Sequence, residues 1–357
     1  MAMAALSSQL CVSISLDLII AVEEAFAIKN PKRSPIVVWM VVLVFASIFG
    51  LYIGFAYLGQ IRTRPNSKYM MVQVNEQLCQ ISGIRPGESV HVHFPKPETF
   101  SRGECICNPV RLFAILSMQR SGSGWFETFL NSHLNVSSNG EIFSVKQRRS
   151  NVSTVLSTLD KVYNLDWTSS AAKNECSAAV GFKWMLNQGA MKYHLQVVEY
   201  FNRRGVSPIF LFRRNLLSRM VSILANSHDQ YVKTINGTHK SHVHSSNEAK
   251  LLAQYKPWIN VSTLISDLEV ADEMITNTLN YFKGTRHIIL YYEDLVNNST
   301  NKLLDVQHFL RLPRLKLKSR QVKIHTSPLS EHIENWGDVY KTLKGTKYDS
   351  FLELKPN

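Results

Sequence analysis

The sequence predicts an α/β fold with three layers around a mainly parallel central sheet. From residue 111 onwards, short apolar runs alternate with longer segments of helical periodicity, and this alternation is typical of strands joined by crossover helices. Cationic or small polar residues directly follow several of the apolar runs. Because ligands of such sheets bind at the carboxyl ends of the strands, we expect a functional site there.

The N-terminal part of the chain is predicted to lie outside this fold. Residues 36–58 contain no charged side chain and are long enough to cross a bilayer. They are predicted to form a transmembrane signal-anchor after a short cytoplasmic tail at 1–35. Residues 59–110 contain several prolines and little helical periodicity, so they are predicted to form a stem. The folded domain is then expected at 111–357.

Charge and residue usage favour an anionic ligand and an oxidising compartment. The formal net charge is +13, which favours an anionic partner. Four of the five cysteines follow the apolar run, and this even number suits disulfides but leaves their pairing open: Cys79, Cys105, Cys107 and Cys176. All six Asn-x-Ser/Thr sequons follow it too: Asn135, Asn151, Asn236, Asn260, Asn297 and Asn298. Both features favour a luminal C-terminal domain.

The fold and the function both depend on the stretch Leu112–Leu134. Its uncharged, mostly apolar start, Leu112–Met118, predicts a buried parallel strand. The turn Gln119–Gly124 is rich in serine and glycine, and the apolar spacing beyond Trp125 predicts a helix. A strand, a glycine-containing turn and a helix N-terminus form a phosphate cradle. The lysine of GxxxxGK[ST] is missing, so an ATP-type loop is disfavoured, whereas an ordinary strand-to-helix turn remains the alternative.

The other elements follow in chain order. Strands are predicted at 178–185, 208–212 and 286–292, and helices at 150–164, 188–204, 216–225 and 264–282. Residues 229–262 are polar and irregular, which predicts a solvated loop. A metal site at His239, His242 and His244 is the alternative interpretation of this loop. We disfavour it because no carboxylate or cysteine is spaced to complete the ligand set.

Three basic residues fall at or near the carboxyl ends of the predicted strands. Lys183 lies near the end of the second strand, and Arg213 and Arg214 directly follow the third. Parallel strands bring these ends to one edge of the sheet, beside the turn at 119–124. This convergence favours a nucleotide site over an ordinary turn.

Several segments together resemble one enzyme family. In chain order they are SMQRSGSGWFETFL, NGEIF, GFKWMLNQ, FLFRRNLLSRMVS, LYYEDL and the late Arg320-Gln321 ahead of ENW. They resemble sulfotransferases that use 3′-phosphoadenosine 5′-phosphosulfate (PAPS), most of all the bacterial trehalose and Nod-factor enzymes and a group of plant membrane-anchored sulfotransferase-like proteins. The resemblance covers roughly 110–345 and implies the P-loop NTPase-like sulfotransferase fold, preceded by one transmembrane helix.

The resemblance implies which residues bind the donor nucleotide. Its 5′-phosphosulfate would be held by Arg120, Ser121, Gly122, Ser123, Gly124 and Trp125. Its 3′-phosphate would be held by Arg214 and by Ser222, eight residues later, and Arg320 would close over the nucleotide as a lid. The family commonly has threonine at the position of Gly124 and uses its hydroxyl on phosphate. This chain lacks that hydroxyl.

The resemblance also implies the catalytic residues. Glu141 matches the general base of the trehalose enzymes, and Lys183 would stabilise the oxygen of the leaving group. Arg120 would act in catalysis as well as in binding. Glu127 and His133 are rival bases. No metal is expected, because sulfuryl transfer resembles a phosphoryl transfer driven by positioning and electrostatics.

The sequence therefore predicts a PAPS-dependent sulfotransferase, a single-pass type II protein of the Golgi membrane with its catalytic domain in the lumen. The acceptor is expected to be a carbohydrate hydroxyl of a glycan or glycolipid, contacted by 142–176 and 229–262, and no nucleic-acid partner is expected. A P-loop kinase or ATPase is one alternative, which the missing loop lysine disfavours. A non-catalytic membrane-anchored protein that retains the fold is the other.

Overall fold

A computed structural model of the protein describes residues 35–62, Cys79 and 87–353, apart from 236, 240, 241, 325 and 326. The chain divides into two compact units, Met1–Leu78 and Cys79–Asn357. Most of the predicted tail, much of the predicted stem and the predicted glycosylation site Asn236 lie outside the described residues.

The first unit contains one long helix, α1 (Pro35–Arg62). Its side chains are described from 39 to 53, and all of these are exposed. Among the described residues, no helix is long and apolar enough to cross a membrane. The predicted transmembrane signal-anchor at 36–58 is therefore contradicted, and so is the Golgi-membrane location that depends on it.

The second unit is built on a parallel sheet, which confirms the predicted α/β fold. Its strands are β1 (Arg111–Ser117), β2 (Val136–Ser138), β3 (Ala179–Gly181), β4 (Lys183–Met185), β5 (Ser207–Phe212) and β6 (Ile288–Tyr291). The order across the sheet is β2-β3-β1-β5-β6, and β4 continues β3 alongside β1. Every strand pair is parallel. The central strands β1 and β5 are nearly continuous apolar runs, as strands covered on both faces require.

Helices cover both faces of this sheet. In chain order they are α2 (Ser123–Asn131), α3 (Val152–Tyr163), α4 (His194–Arg204), α5 (Leu216–Val232), α6 (Ser246–Leu252), α7 (Leu264–Phe282), α8 (Tyr292–Asn297), α9 (Ser299–Phe309) and α10 (Trp336–Leu343). Alternate residues of β1 enter two separate apolar cores. Leu112 and Leu116 pack with α3, α4, α5, α7 and α10, whereas Phe113 and Ile115 pack with α2, α8 and α9.

Element boundaries differ from the prediction at several places. The predicted strand at 178–185 is interrupted at Phe182, and the predicted helix at 188–204 begins only at His194. Gly189 has a φ of 96°, a left-handed conformation that an α-helix cannot contain. Helix α5 runs past the predicted end at 225, and α6 forms inside the predicted loop at 229–262. Helices α8, α9 and α10 were not predicted.

One disulfide and one buried arginine tie the segment ahead of β1 to the segment ahead of β3, and a second disulfide lies within the first of these segments. Cys79 pairs with Cys107, and Cys105 pairs with Cys176, so the four predicted cysteines are all in disulfides. The guanidinium of Arg102 is buried and donates to three carbonyl oxygens of the two segments, those of Asn108, Glu175 and Ser177. The cross-links thereby hold β3 and β4 beside β1.

Replacing Cys105 and Cys176 by serine should lower the free energy of unfolding by about 2–5 kcal/mol. The reason is that this disulfide closes a loop with a sequence separation of 71 residues and restricts the unfolded chain. Urea unfolding measures the change. The matched control removes Cys79–Cys107, with a separation of 28 residues, and should give a smaller loss. Equal stability of the Cys105/Cys176 variant and the wild type would contradict the pairing.

Candidate functional site

A cavity of about 770 Å³ lies at the carboxyl edge of the sheet. Gln119, Arg213 and Tyr292, which follow β1, β5 and β6 directly or within two residues, all line it. Lys183 of β4, the start of α2 and one side of α5 complete the walls. The cavity is therefore where a parallel sheet places its ligand.

The turn after β1 has the conformation of a phosphate cradle. Arg120 has a φ of 64° and Gly122 a φ of 81°, and left-handed backbone at a non-glycine residue is concentrated at functional sites. A Cβ on Gly122 would stand 2.4 Å from the ring of Tyr292, so only glycine fits there. The Nε of Arg219 donates to the carbonyl of Gln119 at 2.9 Å and holds the start of the turn.

The start of α2 offers donors to an anion. Gly122 is the N-cap and provides no side-chain acceptor for the first backbone N–H groups, which have no partner within a helix. The hydroxyl of Ser121 is buried and, among the described residues, has no hydrogen-bond partner. Unpaired donors at a helix N-terminus form an anion site, so the residues present fit a phosphate or sulfate group.

The charge of the cavity also favours an anion. Four cationic side chains line it, those of Arg120, Lys183, Arg213 and Lys323, and among the described lining residues Glu141 is the one carboxylate. Burial, together with the charge of Arg213, lowers the pKa of Arg120 to about 10. Burial also lowers the pKa of Arg213. An anion in the cavity would favour the charged form of both groups.

The two adjacent arginines after β5 have different surroundings. Arg213 is mostly buried, lies over the ring of Tyr292 at 4.9 Å and lines the cavity. Arg214 is half exposed and forms a bidentate pair with Asp294 at 2.5 and 2.9 Å. Arg214 does not line the cavity, whereas its predicted partner Ser222 does. The Nε of Arg120 donates to the hydroxyl of Ser222 at 2.9 Å.

A second cluster of charged side chains surrounds Lys183, the first residue of β4. The ammonium of Lys183 is 3.4 Å from Glu141 and 3.8 Å from Glu127. The side chain of Glu141 is about one-third exposed, lines the cavity and accepts a hydrogen bond from Gln188. The structure thus brings together two predicted catalytic residues, Glu141 and Lys183, with the predicted phosphate cradle in one space.

The two rival bases occupy structural positions. Glu127 is buried and accepts hydrogen bonds from the hydroxyl of Ser138 at 2.7 Å and the backbone N–H of Gly140 at 3.0 Å. These bonds fix the turn that carries Glu141. Burial raises the pKa of Glu127 and outweighs the opposing charge of Lys183. His133 is buried between the carbonyl of Pro313 and the backbone N–H of Asn135. Neither rival lines the cavity.

Several residues that line the cavity were not predicted from the sequence as site residues. Arg320, the predicted lid, is exposed and does not line the cavity, but the residues directly after it, 321–324, do. Tyr292 belongs to LYYEDL, one of the segments that resemble the sulfotransferases. That resemblance is the signal by which Tyr292 could have been found. His242 also lines the cavity, although its loop was predicted to be solvated. Within the described ranges, no group of three or more His, Cys, Asp or Glu side chains is placed to hold a metal ion.

Comparison of the sequence with known proteins finds two relatives. No family model matches the chain. Nodulation protein H of Rhizobium meliloti is 25% identical over 257 residues, covering 69% of this chain and 96% of the relative. The protein of the same name from Rhizobium meliloti strain 1021 is 24% identical over the same shares. The predicted resemblance to the sulfotransferase family is confirmed.

Three solved structures align with this chain at low similarity. A sulfotransferase from Alicyclobacillus acidocaldarius has a TM-score of 0.35 and 9% identity, covering 68% of this chain and 96% of its own. The sulfotransferase domain of the curacin biosynthetic pathway has a TM-score of 0.32 and 16% identity, covering 69% and 93%. That of the Synechococcus PCC 7002 olefin synthase has a TM-score of 0.32 and 12% identity, covering 69% and 90%. Because these TM-scores are below 0.5, we base nothing further on them.

Replacing Glu127 by glutamine should change how stability depends on pH. The raised pKa means that the folded state holds the Glu127 proton more tightly than the unfolded state. Ionisation of Glu127 therefore lowers the free energy of unfolding as the pH rises through the ordinary carboxyl range. Glutamine cannot ionise, yet its amide oxygen can still accept from Ser138 and Gly140. Relative to wild type, the variant should gain stability between about pH 4 and about pH 7.

Urea unfolding of both proteins at the two pH values measures this difference. Since every other titrating group is shared, the change in the difference reports on Glu127 and on its coupling to Lys183 and Glu141. A stability difference that stays constant over this range would contradict a buried carboxyl with a raised pKa.

Proposed function

We propose that this protein is a PAPS-dependent sulfotransferase that moves a sulfuryl group to a hydroxyl of a carbohydrate acceptor. One observation carries the proposal. A single cavity of about 770 Å³ joins the cradle after β1, several buried cations and the pair formed by Glu141 and Lys183. Transfer of a group from an anionic donor to a hydroxyl needs two parts in one site. One part binds the anion, and the other accepts the proton of the hydroxyl.

The donor is proposed to occupy the cationic half. Its sulfated end would meet the N–H groups at the start of α2 and the buried hydroxyl of Ser121, together with the remaining residues of the predicted 120–125 turn. Its 3′-phosphate would meet Ser222. Arg213 is the arginine after β5 that faces the cavity, and we assign it the phosphate contact that the resemblance gives to Arg214. The planar guanidinium suits phosphate oxygens, and burial strengthens the contact.

Glu141 is proposed to be the general base. The acceptor hydroxyl gives its proton to the Glu141 carboxylate as its oxygen forms a bond to sulfur. The bond between sulfur and the phosphate oxygen of the nucleotide breaks, and its electron pair stays on that oxygen. Protonation of Glu141 removes the negative charge that lies 3.4 Å from Lys183. The ammonium then stabilises the charge that develops on the leaving oxygen.

The carbohydrate acceptor has separate support. The resemblance includes enzymes that act on sugars, the trehalose and Nod-factor sulfotransferases, and the part of the cavity wall formed by α5 carries Asn226, Ser227 and Gln230. Amide and hydroxyl side chains both donate and accept hydrogen bonds, as sugar hydroxyls require. A kinase or ATPase remains the second candidate function, because the cradle itself does not distinguish nucleotides, and a binding protein without activity is the third.

Calorimetry of the full-length protein with 3′-phosphoadenosine 5′-phosphate, the product nucleotide, tests the donor site. Arg213→Ala should weaken binding by about 10–100-fold, because it removes a charge-assisted contact worth about 1.5–3 kcal/mol. Ser222→Ala should weaken it less. Arg214→Ala is the matched control: its guanidinium pairs with Asp294 outside the cavity, so binding should stay within a few-fold of wild type.

The outcomes separate the candidates. Tighter binding of ATP with Mg²⁺ than of the product nucleotide would overturn the sulfotransferase proposal in favour of a kinase. Loss of binding in Arg214→Ala and not in Arg213→Ala would overturn our assignment of Arg213 and restore the spacing-based prediction.

Glu141→Gln should retain binding of the product nucleotide and lose transfer by about 10²–10⁴-fold, the usual contribution of a general base. The change keeps the size of the side chain and its oxygen acceptor for Gln188. Sulfate transfer from PAPS to a panel of mono- and oligosaccharides measures the loss. Glu127→Gln is the comparison variant, since its carboxylate lies outside the cavity and its loss should be much smaller. Equal losses in both variants would contradict Glu141 as the base.

A further inference from the structure

The imidazole of His242 occupies the space beside Gly124. A Cβ built on Gly124 would stand 2.4 Å from Nε2 of His242 and 2.6 Å from its Cε1. These distances are shorter than any real contact, so a side chain at 124 and the imidazole cannot occupy this space together. The family places a threonine hydroxyl here, whereas this chain has no side chain at 124 and an imidazole in its place.

Packing of the next residue holds His242 at this position. Val243 is buried in a small apolar core with Ile235 and Ala249. Its carbonyl accepts from the backbone N–H of Val322 at 3.0 Å, within an antiparallel bridge. The segment 321–324 also lines the cavity. The backbone next to the imidazole is thus anchored through Val243.

The electrostatic surroundings of His242 suit a neutral hydrogen-bond donor. His242 remains accessible from the cavity, yet desolvation by the surrounding protein lowers its pKa to about 4. The charges of Arg120 and Lys183, followed by His244, act in the same direction. Near neutral pH the ring therefore carries no charge and one N–H. It adds a donor beside the cradle without adding to the repulsion among the cations.

We propose that His242 replaces the hydroxyl missing at Gly124 and donates a hydrogen bond from its imidazole to the anionic end of the donor nucleotide. This inference rests on the proposed function and adds to it a binding residue from the segment between α5 and α6. Gly124 and His242 then form one unit: the glycine leaves the room that the imidazole fills. The exchange explains how the site keeps a side-chain donor at this place although Gly124 has none.

A double-mutant cycle tests the replacement, with calorimetric affinity for 3′-phosphoadenosine 5′-phosphate as the readout. His242→Ala should weaken binding about tenfold or more, because one hydrogen bond to a charged group is lost. Gly124→Thr should also weaken it, because the new side chain meets the imidazole. The double variant Gly124→Thr/His242→Ala should bind within a few-fold of wild type, since the hydroxyl then stands in the vacated space.

Two controls isolate the hydrogen bond. Gly124→Ala/His242→Ala fills the same space without a hydroxyl and should not recover affinity. His244→Ala changes an exposed neighbour and should bind like the wild type. Thermal unfolding of every variant checks that a weak affinity does not reflect an unfolded protein.

The outcomes distinguish this inference from the proposed function. If the wild type binds the product nucleotide but His242→Ala binds equally well, the inference is overturned and the proposed function stands. Additive losses in the double variant overturn it too. If the wild type does not bind this nucleotide, the proposed function fails and the inference fails with it.

Discussion

Repulsion among cations is the constraint on which the candidate site depends. Arg120, Lys183 and Arg213 face one cavity, and bringing like charges together out of water is unfavourable unless other groups compensate. The compensation differs at each cation. Lys183 lies between two carboxylates, Arg213 lies over the ring of Tyr292 and 3.9 Å from Glu293, and Arg120 donates to neutral oxygens. These cations still outnumber the carboxylates among the described lining residues, and this makes the cavity a receptor for an anion.

The centre of the fold could be predicted from the sequence because local residue patterns determine it. Strands β1 and β5 are covered on both faces and therefore appear as apolar runs, and the glycines after β1 mark a turn that other residues cannot form. The elements at the edges of the fold were harder to predict from the sequence. β2 has three residues and no distinctive pattern, and α9 has a polar sequence with weak helical periodicity. Their structure depends on the core that they cover rather than on their own periodicity.

The arginine pair shows why spacing alone did not assign the site. Adjacent residues at a strand end point in different directions, so a shift of one position exchanges a cavity residue for a surface residue. The direction is fixed here by α8: Glu293 accepts from the backbone N–H groups of Arg214 and Asn215, and Asp294 holds the Arg214 side chain. Those partners lie about eighty residues further along the chain, and local sequence does not encode such a contact. The same reason hid His242, because its neighbour Val243 is held by a bridge to the distant residue Val322.

The pair of carboxylates around Lys183 divides two tasks that a single group could not combine. A base must change its protonation state during the reaction, whereas a positioning group must keep its hydrogen bonds unchanged. Glu127 is enclosed and bonded to Ser138 and Gly140, so the loss of these hydrogen bonds would move the turn before Glu141. Glu141 faces the cavity and can lose its charge without disturbing that turn. Since Lys183 contacts both, it retains one counter-ion when the other is neutralised, and the local backbone stays in place while the charge moves.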